Sequence, residues 1–310
     1  MYKSIPRDIR KYELDQSLHQ VHKSGQVLSD FGMDSTKELL DKGFGLYSSA
    51  DLKSKIGPIK TEYYRIGLIR TGKVDISIGL ERFHLVRNCA IFGYPGQIFS
   101  LENASQDFFN YYLLFNQEFA LESLDLINTI NHAPFFSPEG IQSIEFMEEE
   151  AQVIESLLLK MNDEIKFKKA EVSQVIRVLL QLIIIYSNRR YGQNMLIESG
   201  KTDHTSHLFT RFLKLVSLHF LQFQKVTDYA AMLFVSPDHL NRTIKLNSDK
   251  TCLQWIDQMI LLEAKALLKH SVLSISEIAY KLKFSDPSHF NKFFKKQTSQ
   301  TPLQYRIKAE

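Results

Sequence analysis

The sequence predicts an α+β fold, with a small β-barrel and flanking helices in the N-terminal part and an all-α domain in the C-terminal part. The chain has 310 residues, enough for two domains that each bury a core. Aromatic and β-branched residues separated by turn signals run from residue 63 to about residue 119. Beyond residue 207 the sequence has helical periodicity and repeats itself.

The composition is that of a globular protein, with 44% hydrophobic and 24% charged residues. The first twenty residues lack the apolar core of a secretion signal, and the longest apolar run, 175–186, is shorter than the roughly 20 residues that span a bilayer. We therefore expect a cytoplasmic location. Cys89 and Cys252 are far apart and predict neither a disulfide framework nor a metal site, so we expect both in the core.

The charge is distributed unevenly between the two parts. Residues 207–310 carry 15 Lys and Arg against 8 Asp and Glu, a net +7, which leaves −4 for the rest of the chain. A basic C-terminal part is consistent with a polyanionic partner there, although a solvated surface is the commoner meaning of such charge.

The strand-like region begins with an alternating pattern. The run at 63–70, the Thr71-Gly72 turn signal and the apolar series Val74, Ile76 and Ile78 predict a hairpin. Further strands are expected at 83–86, 90–93 and 108–115, with Pro95-Gly96 as turn chemistry. Short strands at this spacing favour a small barrel or sandwich.

Helical patterns follow Pro138. One apolar series begins after Glu148 and runs through Val153, Leu158 and Met161, and a second occupies 172–186. The second is apolar on more than one face, which predicts burial against the barrel and against a partner subunit in a homodimer. A helix wholly buried in its own domain is the alternative. Residues 191–206 are polar and contain two glycines, so we predict a linker there between domains at 1–190 and 207–310.

The C-terminal part contains an internal repeat. TDYAAMLFVS at 227–236 matches SEIAYKLKFS at 276–285, and after one inserted residue HLNRTIK at 239–245 matches HFNKFFK at 289–295. Each copy is typical of a short helix, a tight turn and a second helix, which is a helix-turn-helix unit. Thr227 and Ser276 are expected to cap the first helices, and Ser236 and Ser285 the second.

The second helix of each copy is predicted to be amphipathic. Leu240 and Ile244, like Phe290 and Phe294, are four apart and are expected to face inward. Asn and Arg side chains suit base edges and Lys suits phosphate, so the opposite faces predict DNA contacts, against the alternative of an ordinary solvated face. The predicted DNA-binding residues are Ser236, Asp238, His239, Asn241, Arg242 and Lys245 in the first copy, and Ser285, Ser288, His289, Asn291, Lys292, Lys295 and Lys296 in the second.

Between the copies, residues 253–269 predict a helix roughly 25 Å long at 1.5 Å per residue. Modules so separated could reach successive major grooves, about 34 Å apart, on double-stranded DNA.

The repeat and its surroundings resemble the C-terminal domain of AraC/XylS-type transcription regulators. The resemblance covers 207–310 and is most specific in SEIAYKLKFSDPSHFNKFFKKQTSQTPLQYR at 276–306. It implies a sequence-specific DNA-binding regulator rather than an enzyme, with recognition helices at about 236–245 and 286–297. By their positions in the family's pattern, the residues implied to face the bases are Asp238, Asn241 and Arg242 in the first copy and Ser288, Asn291 and Lys292 in the second. The resemblance also allows RNA polymerase as a partner.

The sequence departs from this family at three positions. The glycine usual in the turn of each module is Phe234 in the first and Lys283 in the second, and Ile260 stands in the linking helix where Arg is usual. A left-handed backbone at a residue with a β-carbon costs about 1–2 kcal/mol, so the turns are either strained or of another geometry.

The N-terminal half more loosely resembles the family's cupin-like sensor and dimerisation domain, through 64–72 and YPGQIF at 94–99. This predicts a small organic effector in the barrel and no cofactor. Arg70, just before the Thr71-Gly72 turn, is the first candidate to hold it, with Tyr64 and Tyr94 as weaker ones, and an exposed hairpin charge is the alternative for Arg70.

Two further interpretations compete for the barrel. A cupin enzyme would need clustered metal ligands, but the strand region offers only His84, and the spaced His19 and His22 lie outside it. Alternatively, the N-terminal domain only dimerises and the chain binds DNA without an effector. A filled barrel would favour that interpretation, whereas a pocket with converging polar groups would favour a sensor.

Overall fold

A computed structural model of the protein describes residue 31 and residues 37–50, 52–60, 62–138, 140–167, 170–198 and 204–309. His19 and His22 lie outside these residues. Nine strands form within the described part of the N-terminal half: β1 Phe44–Ser48, β2 Ile56–Lys60, β3 Tyr64–Thr71, β4 Lys73–Ile78, β5 Glu81–Val86, β6 Cys89–Gly93, β7 Ile98–Glu102, β8 Phe109–Phe115 and β9 Ser143–Glu145.

The strands form two antiparallel sheets that face each other. One has five strands in the order β1-β8-β3-β6-β9, and the other has four in the order β2-β7-β4-β5. Inward side chains such as Ile69, Ile76 and Phe99 fill the space between the sheets and form one core cluster. The outer face of the five-stranded sheet, through residues such as Ile66 and Phe92, packs on helices in a second cluster. The predicted barrel is therefore confirmed as a two-sheet structure.

The predicted hairpin at Thr71-Gly72 is wrong, although both of its strands exist. β3 pairs with β6 and β8, whereas β4 pairs with β5 and β7. The chain therefore changes sheets at this corner. A register shift between Ile69 and Thr71 and a left-handed Gly72 (φ 70°) provide the bend, as bulges do at sheet corners.

Five helices belong to the described part of the N-terminal half. They are α1 Lys37–Asp41, α2 Gln117–Leu121, α3 Leu124–Asn131, α4 Glu148–Lys166 and α5 Val172–Glu198. Residues such as Ile176, Leu180 and Ile183 bury one face of α5 completely in the N-terminal core. None of the described helices is both long and apolar enough to cross a membrane.

Helix α5 extends into the segment predicted as a linker. It continues through residues 191–198 and the next helix begins at His204, so these parts of the predicted linker at 191–206 are helical. Extending an existing helix costs far less than nucleating one. Side-chain bonds also hold this end, since Arg190 Nε and Asn194 Nδ2 both donate to the carbonyl of Glu145 at the end of β9. The place of the domain boundary stays a proposal.

The regular elements among the described residues of the C-terminal half are helices. Its helices are α6 His204–His219, α7 Val226–Met232, α8 Pro237–Ser248, α9 Cys252–His270, α10 Ile275–Lys281, α11 Pro287–Thr298 and α12 Pro302–Ala309. The linking helix predicted at 253–269 is α9, one residue longer at each end.

The two halves are in contact through the four-stranded sheet. Leu80 and Ile98 from the barrel share a core cluster with Phe212 and Val216 of α6. Lys60 Nζ, at the end of β2, lies 2.9 Å from Oε1 of Glu263 in α9. The side chain of Glu263 is only 2% exposed and that of Lys60 23% exposed, so this partly buried ion pair joins the barrel to the linking helix.

Candidate nucleic-acid interface and barrel cavity

The two predicted helix-turn-helix modules have the same turn geometry. In the first, Leu233 is the C-cap residue of α7 and the Val235 amide donates to the Ala230 carbonyl at 3.0 Å. In the second, the Phe284 amide donates to the Ala279 carbonyl, also at 3.0 Å. This is the bond that closes a helix with one left-handed residue after its end.

In each turn, the residue with a left-handed backbone is the one that stands where the family usually has glycine. Phe234 has φ 58° and Lys283 has φ 66°, so both turns keep the geometry that favours glycine. Of the two alternatives left by the sequence, strained or rebuilt turns, the structure has strained turns. Phe234 is also 92% exposed, so its ring gains almost no packing in compensation.

The helix caps differ from the sequence-based expectation. Ser236 caps α8 as predicted, accepting from the His239 amide, but Asp286 rather than Ser285 caps α11. The inserted residue in the second copy moves the cap by one position. Pro237 and Pro287 at the first helical position mark the cap in each copy, a signal that the sequence contains.

The first helix of each module also starts earlier than expected. Ser274 caps α10 in a reciprocal arrangement with Glu277, so Ser276 lies inside the helix. Thr227 likewise lies in the first turn of α7, which follows Lys225 without a side-chain cap. The sequence contains the signature of this capping box, Ser-x-x-Glu, at 274–277.

The inward faces of α8 and α11 are as predicted. Leu240, Ile244, Phe290 and Phe294 are all fully buried. Because these positions fix the rotation of each helix, the opposite faces are turned to solvent. The exposed predicted DNA-binding residues are Ser236, Asp238, His239, Arg242 and Lys245 on one module, and Ser285, Ser288, His289, Lys292, Lys295 and Lys296 on the other.

Asn241 and Asn291 have local partners instead of fully exposed side chains. Asn241 Oδ1 accepts from the Cys252 amide at 3.3 Å, which joins α8 to the start of α9. Asn291 Nδ2 donates to the Pro287 carbonyl one turn earlier at 2.9 Å. Both are half-buried, so their implied role toward bases is weaker than that of Arg242 and Lys292, which follow them.

The structural repeat extends further than the sequence comparison found. Thr251 and Gln254 form a reciprocal cap at the start of α9, and Thr301 and Gln304 form the same pair of bonds at the start of α12. The pattern Thr-x-Leu-Gln followed by an aromatic residue occurs at 251–255 and again at 301–305, an offset of 50 that was available in the sequence. Each module is thus followed by a capped helix in an equivalent position.

The linking helix is held from both sides. Ile260, at the position where the resemblance implies Arg, is buried and packs in the core shared with α6 and α7. Arg306 of α12 donates from Nε to the Leu268 carbonyl at 3.1 Å and from Nη2 to the Leu273 carbonyl at 2.7 Å. α9 and its contacts therefore support the geometry that the two modules share.

In the barrel, the three predicted effector residues do not converge on one pocket. Arg70 is tied to helix α4, with Nε donating to Glu155 Oε2 at 3.0 Å and Nη2 lying 3.3 Å from Glu148 Oε1. It is neither an exposed hairpin charge nor free for an effector. Tyr64 stacks on Phe115, and Tyr94 packs against the same cluster on the helix side of the sheet.

A cavity of about 30 Å³ lies instead between the two sheets, and the polar side chains in its lining are Arg65, Asn110 and Tyr112. Arg65 is 7% exposed and Asn110 5% exposed. Burial lowers the pKa of Arg65 to about 10, so the guanidinium is charged at neutral pH. The cavity is lined by Leu52, Ile56, Arg65, Gly67, Ile76, Ile91, Phe99, Leu101, Asn110 and Tyr112.

Strand parity explains why Arg65, and not the predicted Arg70, lines the cavity. Successive side chains on a strand point to opposite faces, so Arg65 and Arg70 of β3 face opposite sides of the sheet. Only Arg65 shares the inward face with Gly67 and Ile69. A charged residue with apolar neighbours inside a strand was the available signal.

His84 does not lie in the cavity. Its side chain is 75% exposed and pairs with Asp75 on β4, outside the barrel. Hydrogen bonds from Asn103 and Arg82, together with His84, lower the pKa of Asp75 to about 2. Among the described residues no group of three or more His, Cys, Asp and Glu side chains could hold a metal ion.

Two family models match consecutive parts of the chain. An AraC-like ligand binding domain matches residues 48–189, and a helix-turn-helix domain matches residues 229–308. The regulatory protein PocR of Salmonella typhimurium is 27% identical over 138 residues, which are 44% of this chain and 45% of PocR. The regulator GlxA of Rhizobium meliloti is 42% identical over 83 residues, 27% of this chain and 26% of GlxA.

The chain thus spans less than half the length of these curated relatives. Among solved structures, the C-terminal domain of AraT, a response regulator from Geobacillus stearothermophilus, is 28% identical and has a TM-score of 0.33. The match covers 34% of this chain and 88% of that domain.

The fold and the two modules define a class of protein in which a two-sheet barrel domain precedes a double helix-turn-helix domain. The two matching models cover these same two parts in the same order. The chain belongs to the AraC family of transcriptional regulators.

Proposed function

We propose that this protein is a sequence-specific DNA-binding transcription regulator. The observation that carries the proposal is the pair of equivalent modules on one linking helix, each with a buried inner face and an exposed polar outer face. Arg242 and Lys292 occupy equivalent exposed positions, and Lys245 and Lys295 follow one turn later. Two such helices suit base contacts near their starts and phosphate contacts near their ends.

We also propose that a small organic effector enters the barrel. The cavity between the sheets brings together a buried cation and a buried amide, and such converging polar groups favour a sensor. β2 connects this cavity to the DNA-binding half, because Ile56 lines the cavity and Lys60 of the same strand pairs with Glu263 of α9. An effector regulates only if it binds the two conformations with different affinity.

A homodimer through α5 completes the proposal. Val178, Leu182 and Tyr186 form an exposed apolar stripe at four-residue spacing, opposite the face buried in the N-terminal core. An apolar stripe on a helix surface marks a protein contact. The relatives are transcription regulators, and His84 offers no metal site inside the barrel, so an enzyme activity has no support from the described residues. A regulator of this kind acts on DNA in the cytoplasm.

Selection of bound duplexes from random DNA, followed by anisotropy titrations of the intact chain, tests DNA binding. We expect a defined motif and an affinity that falls steeply with salt, with a log-log slope of about −0.9 for each neutralised phosphate. Binding to no duplex, or binding that salt does not weaken, would contradict the proposal.

Two variants separate base contacts from phosphate contacts. Arg242→Ala should cost roughly 1–3 kcal/mol on the selected site and less on random DNA. Asn291→Ala should cost less than Arg242→Ala, because the Asn291 amide already donates to its own helix. Lys296→Ala should weaken all duplexes similarly, and equal losses on specific and random DNA for Arg242→Ala would limit Arg242 to phosphate.

A further inference from the structure

The polar groups of the barrel cavity indicate which chemical groups a ligand would need. Arg65 Nη2 and Asn110 Oδ1 are both buried and, within the described part of the chain, have no hydrogen-bond partner. Buried polar atoms are nearly always hydrogen-bonded, and a buried charge without a counterion is especially unfavourable. Two such atoms in the lining of one cavity point to a ligand that satisfies both.

Arg65 is held in place by an aromatic ring. Its guanidinium carbon lies 3.8 Å from the centroid of the Phe99 ring, which covers the cation on one side. Burial is the largest cause of its lowered pKa, and no acidic side chain among the described residues contributes to the shift. Within the described part of the chain this buried cation therefore has no anionic partner, and a carboxylate fits a guanidinium with two parallel hydrogen bonds.

Asn110 adds a second requirement. Its backbone amide donates to Ser49 Oγ at 2.8 Å, which fixes the residue at the sheet, while Oδ1 remains an acceptor without a donor. The matching ligand therefore carries a hydroxyl group as well as a carboxylate. Such a group donates to Oδ1 while the acid pairs with Arg65.

The size of the cavity limits the rest of the ligand. The cavity volume of about 30 Å³ restricts the site to a small ligand. Gly67 contributes part of this space, because a β-carbon there would lie 3.1 Å from Ile91 Cγ2 and 3.6 Å from Asn110 Nδ2. The space suits a short carbon chain and leaves none for a sugar ring or a long acyl chain.

We propose that the barrel cavity binds a short-chain hydroxy acid, with Arg65 pairing to the carboxylate and Asn110 accepting from the hydroxyl. This inference rests on the proposed function of the barrel as an effector domain. It names the chemical class of that effector and relocates its site from Arg70 to Arg65.

Calorimetry and thermal unfolding of the full chain test the proposal, with glycolate and lactate as probes. Glycolamide and lactamide are neutral controls of matched shape, and propionate lacks the hydroxyl. We expect both hydroxy acids to bind and raise the melting temperature, propionate to bind at least tenfold more weakly, and the amides to have no effect. No binding of either acid at millimolar concentration, or equal binding of acid and amide, would overturn the proposal.

Variants locate the site. Arg65→Met should fold with unchanged or higher stability, because it removes an uncompensated buried charge, and should lose at least tenfold in lactate affinity. Gly67→Ala should weaken lactate while leaving Arg65 in place. Arg70→Met is the matched control outside the barrel, and it should lower stability but keep lactate binding. Lactate binding that survives Arg65→Met would overturn the assignment.

The same samples distinguish this proposal from the proposed function. If a chain that binds DNA specifically responds to a neutral metabolite and not to hydroxy acids, the regulator stands and the ligand class is wrong. If lactate binds as described but no duplex binds, the cavity assignment stands and the regulator fails.

Discussion

At the scale of single residues, the two strained turns give the sharpest stability prediction. Phe234 and Lys283 keep the left-handed backbone at the end of the first helix of each module. Phe234→Gly should raise the free energy of unfolding by about 1 kcal/mol, because glycine adopts this backbone without steric cost. Chemical denaturation of the full chain measures the change.

Phe234→Ala is the matched control for this prediction. It removes the 92% exposed ring but keeps the β-carbon that causes the strain. We expect little stabilisation from it. Equal gains from alanine and glycine would mean that the exposed ring, and not the backbone, is unfavourable.

Glu148 gives a prediction about pH. Hydrogen bonds from Arg87, Asn88 and Arg70 lower the pKa of its carboxyl group to about 2, from an ordinary value of 4.5. A carboxyl group with a lowered pKa in the folded state stabilises above its unfolded pKa, and the contribution is lost as pH falls through the folded pKa. Glu148→Gln should therefore destabilise the chain at pH 7, with the difference from wild type shrinking between about pH 5 and pH 2.

Glu149→Gln serves as the comparison, since it removes the same charge from an exposed neighbour in the same turn. Its unfolding free energy should follow the wild-type pH profile. A constant deficit for Glu148→Gln down to pH 2 would show that packing, rather than its charge, is responsible.

At the scale of elements, α5 is predicted to form the subunit contact. Val178→Glu places a charge in the exposed stripe formed with Leu182 and Tyr186, and should convert a dimer to a monomer in sedimentation. Val272→Glu changes a 71% exposed valine in the DNA-binding half and should leave the dimer intact. A wild-type chain that sediments as a monomer at all concentrations would exclude the dimer.

The contact between β2 and α9 is a second element-scale prediction. Lys60→Met leaves the buried carboxylate of Glu263 without its partner, which costs about 3–5 kcal/mol for a buried pair. The double variant Lys60→Met with Glu263→Gln removes both charges and should recover most of this loss. A double variant as unstable as Lys60→Met would show that the lysine stem, not the ion pair, holds the interface.

Elements with a strong period were predictable from sequence. The linking helix and the inward faces of α8 and α11 followed from apolar residues at helical spacing. β1, β2, β7 and β9 were missed, because all four are short and β1 is buried on both faces and carries no alternation. The false hairpin arose because the sequence does not reveal that the chain changes sheets at Gly72.

Of the two candidate sites, one could be predicted from the sequence and the other could not. The exposed faces of the modules could be predicted, since two copies give the same orientation twice. The barrel cavity could not, because it depends on which face of β3 is inward, and this is set by pairing with β6 and β8. Asn110 joins Arg65 only through that pairing.

At the scale of the whole molecule, we propose that the two modules bind two stretches of DNA while one rigid helix, α9, supports both. α9 is buried along much of its length and contacts both modules and the barrel. The modules should therefore bind at a fixed separation, and each should read its own half of the site. An effector in the barrel would alter affinity for the pair and not the sequence of either half.

The most direct test of this central claim is selection from random duplex DNA with three proteins: the wild-type chain, Arg242→Ala and Lys292→Ala. We expect a wild-type motif of two boxes whose centres lie about one helical turn, roughly 10 base pairs, apart. Arg242→Ala should relax the sequence of one box only, and Lys292→Ala that of the other. A motif with a single box, or one in which both variants relax the same positions, would contradict the account.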